Sequence, residues 1–232
     1  MEESVYPKQK IIEGDIALDE SWKVAPVPER GSDERFGMGQ GYDVRVTVSG
    51  SKITGKAFDS DDRLFNYSRE LRVPGGRIVG YDHGEFGGKI SFISNRGNES
   101  PLVDENFKGF YIVDDRLFAL SGMDHFFTDK GHIYEMVYSE EKWEAVLMLD
   151  LFSCPQSYLL VDKTLYIATN KALMVVENCE IKESMTIEVS WSGLFPNSIV
   201  QANASLYIGM RGGMVSVGLE DKKITWYCLA SK

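Results

Sequence analysis

The sequence is poor in the residues on which metal sites and nucleophilic active sites depend. Its 232 residues include three histidines and three cysteines, Cys154, Cys179 and Cys228. The cysteines are odd in number and widely spaced, with no Cys-x-x-Cys pair, which favours free thiols over a zinc site or redox motif. Neither a Gly-x-Ser-x-Gly elbow nor a His-Glu-x-x-His motif occurs, so two common hydrolase signatures are excluded. We therefore predict neither a metal nor a cofactor.

Long apolar runs and excess positive charge are also missing. No stretch approaches the length of a membrane span, and the acidic start Met1-Glu-Glu-Ser-Val-Tyr does not resemble a secretory signal, so we expect a cytoplasmic protein with no membrane partner. The 25 basic and 35 acidic residues give a net charge of −10. Such a surface repels phosphate backbones, so we expect no nucleic-acid partner. It would attract a basic protein or cationic ligand, although the charge could also serve solubility alone.

The sequence does contain a regular repeat of short turns between apolar runs. The steps between successive turns are 43, 40 and 41 residues. A period of about forty residues built from strands is typical of four-stranded propeller blades. The turns are Gly-Gly-Lys-Ile ending at Ile90, Lys-Gly-His-Ile ending at Ile133, Asn-Lys-Ala-Leu ending at Leu173 and Arg-Gly-Gly-Met ending at Met214.

The period predicts one all-β domain over residues 1–232, a β-propeller with five four-stranded blades. An alternating hairpin over Tyr42–Val48 and Ile53–Phe58 contributes to the first blade. Residues 1–40 are expected to be an irregular segment, with a breaker-rich loop before residue 42 and a candidate strand that closes the ring. A β-sandwich is the alternative, but it does not explain the constant spacing.

The tryptophans support this register. Trp143, Trp191 and Trp226 are predicted in the fourth strands of their copies, and Trp22 in a strand donated by the N-terminal segment. The stretch Gly218-Leu-Glu-Asp-Lys-Lys-Ile-Thr-Trp-Tyr resembles the last turn and outer strand of a quinoprotein-type β-propeller repeat. This resemblance implies a fold and no quinone chemistry, because a fold alone does not carry a function.

Two Asp-His pairs, 42 residues apart, are the main candidate site. Asp82-His83 and Asp124-His125 each precede the turn between the predicted second and third strands, on the same face as the links between blades. The functional interpretation is a rim that binds a partner; the structural one is that Asp and His tie the turns to nearby backbone amides. His132 lies within a strand pattern and is predicted to be structural. The candidate binding residues are Asp82, His83, Glu85, Phe86, Asp124, His125, Phe126, Phe127, Phe152, Phe195 and Arg211.

The leading functional hypothesis is a non-catalytic module that binds a basic protein partner, for example an intracellular inhibitor or immunity protein for a basic toxin. The second is a small-propeller enzyme acting on a carbohydrate-like ligand in the central channel, which requires convergent carboxylates. The third is a structural or assembly module. The sequence does not fix the oligomeric state.

Overall fold

The protein folds almost entirely into β-strands. The computed structural model describes residues 17–26, 29, 31–49, 51–58, 67–186, 191 and 193–229, which form 20 strands in five sheets. No helix in this part of the chain is long and apolar enough to cross a membrane. The strands are β1 (Ala17–Leu18), β2 (Trp22–Val24), β3 (Asp43–Ser49), β4 (Lys52–Phe58), β5 (Tyr67–Val73), β6 (Gly76–Asp82), β7 (Gly88–Ser94), β8 (Glu99–Val103), β9 (Phe107–Val113), β10 (Arg116–His125), β11 (Thr128–Ser139), β12 (Lys142–Leu151), β13 (Pro155–Val161), β14 (Thr164–Thr169), β15 (Ala172–Glu177), β16 (Glu180–Thr186), β17 (Ser198–Ala202), β18 (Ser205–Met210), β19 (Gly213–Gly218) and β20 (Ile224–Leu229).

The five sheets follow one another along the chain as the blades of a propeller. Sheets 2, 3 and 4 are four-stranded meanders, β5–β8, β9–β12 and β13–β16. Sheet 1 has three strands in the order β1-β4-β3, and sheet 5 has five, because β2 lies beside β20. The predicted all-β propeller with five blades is therefore confirmed, and the β-sandwich alternative is not observed.

Apolar side chains fill the spaces between neighbouring sheets. Four clusters lie between sheets 2 and 3, 3 and 4, 4 and 5, and 5 and 1. Phe107, Phe118, Leu173 and Val44 are representative members, each at most 1% exposed. In the described residues, sheets 1 and 2 share no cluster of this kind.

An open cavity of about 830 Å³ lies where the innermost strands of all five sheets face one another. We call it the axial cavity. It is lined from β3, β5, β9, β13 and β17 and from the ends of neighbouring strands. Each of these five strands is the inner edge strand of its sheet, so the cavity marks the propeller axis.

The N-terminal segment is more regular than expected. The segment predicted as a loop before residue 42 contains a helix, α1 (Asp33–Gly39), whose first turn is capped where the Ser32 side chain accepts a hydrogen bond from the Arg35 backbone N–H at 3.1 Å. This cap outweighs the glycines that indicated a loop. Strand β1 pairs in parallel with β4, and β2 pairs with β20, so Ala17–Val24 joins sheet 1 to sheet 5.

One predicted strand was misplaced. As expected, Trp143 lies in β12, the fourth strand of sheet 3, and Trp226 lies in β20, the fourth strand along the chain in sheet 5. Trp191, however, lies beyond β16 in the link to β17. The reason is the tight turn at Asn178 and Cys179, which have positive φ and start β16 at Glu180. Trp191 is nevertheless 1% exposed, and its indole N–H donates to the Thr169 carbonyl.

Candidate functional site

The second-to-third strand turns and the links between sheets share one side of the molecule, which we call the loop face. In sheet 2, β6 ends at Asp82 and leads into a 3-10 turn, Gly84–Phe86. In sheet 3, β10 ends at His125, and Phe126 and Phe127 form the turn. The two predicted Asp-His pairs thus occupy equivalent positions in adjacent sheets.

The structure brings His125 of the second pair into contact with Glu85, two residues after the first pair. The Nε2 atom of His125 lies 2.9 Å from a carboxylate oxygen of Glu85. The His125 ring also packs edge-on against Phe126, with ring centroids 4.0 Å apart. His83 is placed differently, because its backbone N–H donates to the Gly87 carbonyl at 2.9 Å and to the Asn106 side chain at 3.3 Å. Glu85 and His125 therefore link sheets 2 and 3 at the loop face.

Four phenylalanines of the loop face point into solvent. Phe86 is 83% exposed, Phe126 88%, Phe127 104% and Phe152 49%. We call these residues the phenylalanine rim. Exposed aromatic side chains gathered on one face are unusual in a monomer and are typical of interaction sites.

Asp82 is turned towards the axial cavity. One carboxylate oxygen accepts a hydrogen bond from the Gly84 backbone N–H at 2.9 Å, and the other lies 2.7 Å from the Lys108 ammonium. Both side chains are 20% exposed and both residues line the cavity. Burial alone would lower the pKa of Lys108, but neighbouring acidic groups, Asp82 among them, raise it above its usual value. Lys108 therefore remains positively charged.

Asp124 connects sheets 3 and 4. Its carboxylate accepts hydrogen bonds from the side-chain amides of Asn170 and of Gln156, the latter at 3.5 Å. Although the residue as a whole is exposed, burial of the carboxylate and the nearby charge of Asp129 raise the pKa of Asp124. Asp82 and Asp124 thus hold equivalent positions in their sheets but have different partners.

Phe195 and Arg211 lie two sheets further along the ring. The Arg211 guanidinium sits 4.7 Å above the Phe195 ring, donates to the Gly39 carbonyl at 2.6 Å and lies 3.5 Å from the carboxylate of Asp43. The Arg211 side chain is only 13% exposed. Arg211 and Phe195 contact each other, and Arg211 also contacts the last residue of α1 and Asp43 of β3. None of these contacts involves the phenylalanine rim.

Three polar residues of the loop face, one buried and two half-buried, were not singled out from the sequence. Asn106, 2% exposed, donates to the Gly84 carbonyl at 2.6 Å. Asp129 accepts from the Cys154 backbone N–H at 2.7 Å and pairs with Lys171 at 2.7 Å. Glu105 accepts from Ser121 at 2.5 Å and contacts His132 Nδ1 at 2.6 Å. Asn106 and Glu105 lie in a link between blades, a position that the repeat places on this face, and that was the only signal available.

The described residues offer little nucleophilic or metal-binding chemistry. Burial raises the pKa of the Cys154 thiol to about 12, so it is not a thiolate near neutral pH. Among the described residues, no group of three or more His, Cys, Asp and Glu side chains is arranged to hold a metal ion. What this face presents is an aromatic surface bordered by the Glu85 and Asp124 carboxylates.

Comparison with known proteins yields similar folds only. No protein-family model and no curated protein sequence matches the chain, so the quinoprotein-type repeat remains a resemblance. Solved structures similar to it include virginiamycin B lyase from Staphylococcus aureus, with 13% identity, 83% of this chain and 71% of that chain covered, and a TM-score of 0.44. A catalytically inactive variant of that lyase with quinupristin has 13% identity, coverage of 91% and 75%, and a TM-score of 0.45. A luciferin-regenerating enzyme has 12% identity, coverage of 88% and 76%, and a TM-score of 0.41.

Proposed function

We propose that this protein is a non-catalytic binding module whose phenylalanine rim docks onto a basic protein. The observation that carries the proposal is the exposure of Phe86, Phe126 and Phe127 side by side with the Glu85–His125 link. Aromatic side chains commonly dominate the binding free energy of protein interfaces. Burying them against a partner would remove apolar surface from water, which is favourable.

Charge supports the choice of partner. The chain carries a net charge of −10, and the carboxylates of Glu85 and Asp124 flank the rim. Complementary charge accelerates association and selects against acidic competitors. In its narrower form, the proposal is that the partner is a basic toxin enzyme that this protein inhibits by covering it.

The alternative of a small-propeller enzyme acting on a carbohydrate-like ligand receives less support. The axial cavity is open, as that hypothesis requires, but the described lining contains one carboxylate, Asp82, and it is bound to Lys108. Glycoside hydrolysis commonly uses two carboxylates on either side of the scissile bond.

The test is affinity capture from the native host with the full chain and two variants. Phe126→Ser/Phe127→Ser removes the centre of the rim, and Val146→Ser/Leu147→Ser is a matched control in β12, where both residues are 44–49% exposed. We expect a basic protein to co-purify with the wild type and the control but not with the rim variant. With the purified partner, calorimetry should show at least about 30-fold weaker binding by the rim variant.

Three outcomes would contradict the proposal. One is equal capture of the same partner by the rim variant, and another is an acidic partner. The third is a wild-type homo-oligomer, measured by light scattering, that the rim variant alone dissociates, which would make the protein an assembly module. If the partner is an enzyme, its activity should fall when this protein is added, and an unaffected activity would overturn the inhibitor form.

A further inference from the structure

The axial cavity differs in charge from the rest of this acidic protein. Its described lining contains three cationic side chains, Arg45, Arg69 and Lys108, and one anionic side chain, Asp82. Arg45 comes from sheet 1, Arg69 from sheet 2 and Lys108 from sheet 3. Positive charge therefore converges from three blades on one space, in a chain whose net charge is −10.

The three cations have different neighbours. The Arg45 guanidinium packs over the Phe58 ring of β4, 5.0 Å from the ring centroid. Arg69 lines the cavity together with Tyr158 of β13, and its positive charge partly offsets the effect of burial, which raises the pKa of Tyr158. Lys108 is held by Asp82 at 2.7 Å and keeps its charge. The Nδ2 donor of Asn197, also in the lining, has no hydrogen-bond partner among the described residues.

We propose that the axial cavity binds a small polyanion, carrying phosphate or carboxylate groups, that bridges Arg45 of sheet 1 and Arg69 of sheet 2. Guanidinium groups bind both kinds of group through two parallel hydrogen bonds. The volume of about 830 Å³ lies within the range of small-molecule sites. Sheets 1 and 2 are also the neighbours that share no apolar cluster in the described residues, so a bridging anion would join the two blades that the core leaves unjoined.

The experiment is calorimetry with pyrophosphate and citrate as probes, and with maltose as the neutral control. We expect both anions, or one of them, to bind with a dissociation constant of about 1 mM or tighter, and maltose not to bind. Tighter binding of pyrophosphate would assign the natural ligand to phosphate compounds, and tighter binding of citrate to carboxylates. Raising the ionic strength should weaken binding.

Charge-matched variants separate the cavity from the surface. Arg45→Gln/Arg69→Gln should weaken binding at least about tenfold. Arg72→Gln/Lys142→Gln removes two charges as well, but Arg72 lies on the opposite side of β5 from Arg69 and neither residue lines the cavity, so binding should change less than about twofold. If the double arginine variant does not fold, Arg69→Lys keeps the charge without the planar fork and should give an intermediate loss.

Hydrogen exchange tests the bridge itself. Binding should slow exchange of amides in β3 and β5 more than in sheet 4. The proposal is overturned if neither anion binds at about 10 mM, if maltose binds equally well, if the two double variants lose binding equally, or if protection omits β3 and β5. Since none of these variants touches the phenylalanine rim, failure here leaves the proposed protein-binding function standing.

Discussion

Glu105 has three side-chain partners on the loop face. Its carboxylate accepts from Ser121 at 2.5 Å, lies 2.6 Å from His132 Nδ1 and 3.3 Å from the Lys130 ammonium, and is 16% exposed. Burial alone would raise the pKa of Glu105, but the hydrogen bonds from Ser121 and His132 and the charge of His132 outweigh it and lower the pKa. His132 also lies 3.2 Å from Asp150, so the link before β9 is tied to β10, β11 and β12. The ionised carboxylate therefore stabilises the fold.

Replacing this carboxylate should alter stability in a pH-dependent way. Because the folded pKa of Glu105 is below the unfolded one, the stabilisation is present above the unfolded value of 4.5 and is lost as pH falls through the folded pKa. We expect Glu105→Gln to lower the free energy of unfolding by about 1–3 kcal/mol at neutral pH, with the difference from wild type shrinking below about pH 4. Urea unfolding across this pH range measures it.

The control is Glu99→Gln, which removes an exposed glutamate paired with Lys89 at 2.6 Å. We expect almost no change, because exposed ion pairs contribute little. A constant difference between wild type and Glu105→Gln at all pH values would show that the carboxylate charge is not what stabilises the link.

At this scale the sequence predicted positions but not partners. The period places Glu85 and His125 in adjacent blades on the same face, but the contact between them is seen only in the structure. It does not say that Asp82 turns to Lys108 while Asp124 turns to Asn170, because the side-chain partners come from links and strands of other blades. The links, such as the one with Glu105 and Asn106, differ in sequence from blade to blade, so no repeated pattern predicts their contacts.

At the scale of the element, four hairpins share a turn conformation that their residue types do not indicate. Two consecutive residues have positive φ at Asp114-Asp115, Glu140-Glu141, Asn178-Cys179 and Asn203-Ala204. Such turns match the twist of antiparallel strands and usually contain glycine. None of these four pairs contains glycine, so no glycine marked the turn at Asn178, and β16 was predicted too late in the chain.

Glycine at one of these positions should stabilise the protein. Ala204 has a φ of 54°, is exposed, and lies between β17 and β18. A left-handed conformation is costly for alanine and free of steric cost for glycine. We expect Ala204→Gly to raise the free energy of unfolding by about 0.5–1 kcal/mol, measured by thermal or urea unfolding.

The same substitution at Ala57, an exposed residue inside β4, provides the matched control. There glycine should lower the free energy of unfolding by about 0.5–1 kcal/mol, because it only adds conformational freedom to the unfolded chain. A loss of stability in both variants would argue against a strained turn at Asn203-Ala204.

At the scale of the whole molecule, Ala17–Val24 connects the first blade to the last. Trp22, 8% exposed, lies in β2 of sheet 5, and its indole N–H donates to the Ile53 carbonyl of sheet 1 at 3.3 Å. The ring covers Gly55, where an added Cβ would lie 2.1 Å from the indole. The regular period predicted five blades, but this packing joins residues far apart in the sequence, which no local pattern encodes.

Removing this indole should loosen the connection between sheets 1 and 5. We expect Trp22→Ala to lower the free energy of unfolding by about 3–5 kcal/mol, because it empties a buried site at which two sheets meet. Hydrogen exchange should then accelerate in β3 and β4 more than in sheets 3 and 4, since sheet 1 loses its contact with β2. Trp143→Ala is the control: Trp143 is only half-buried, and its indole N–H donates to the Pro74 carbonyl at 3.0 Å, between sheets 2 and 3. It should cost less stability and leave exchange in β3 and β4 unchanged, so equal effects of the two variants on sheet 1 would mean that Trp22 has no special part in joining the first and last blades.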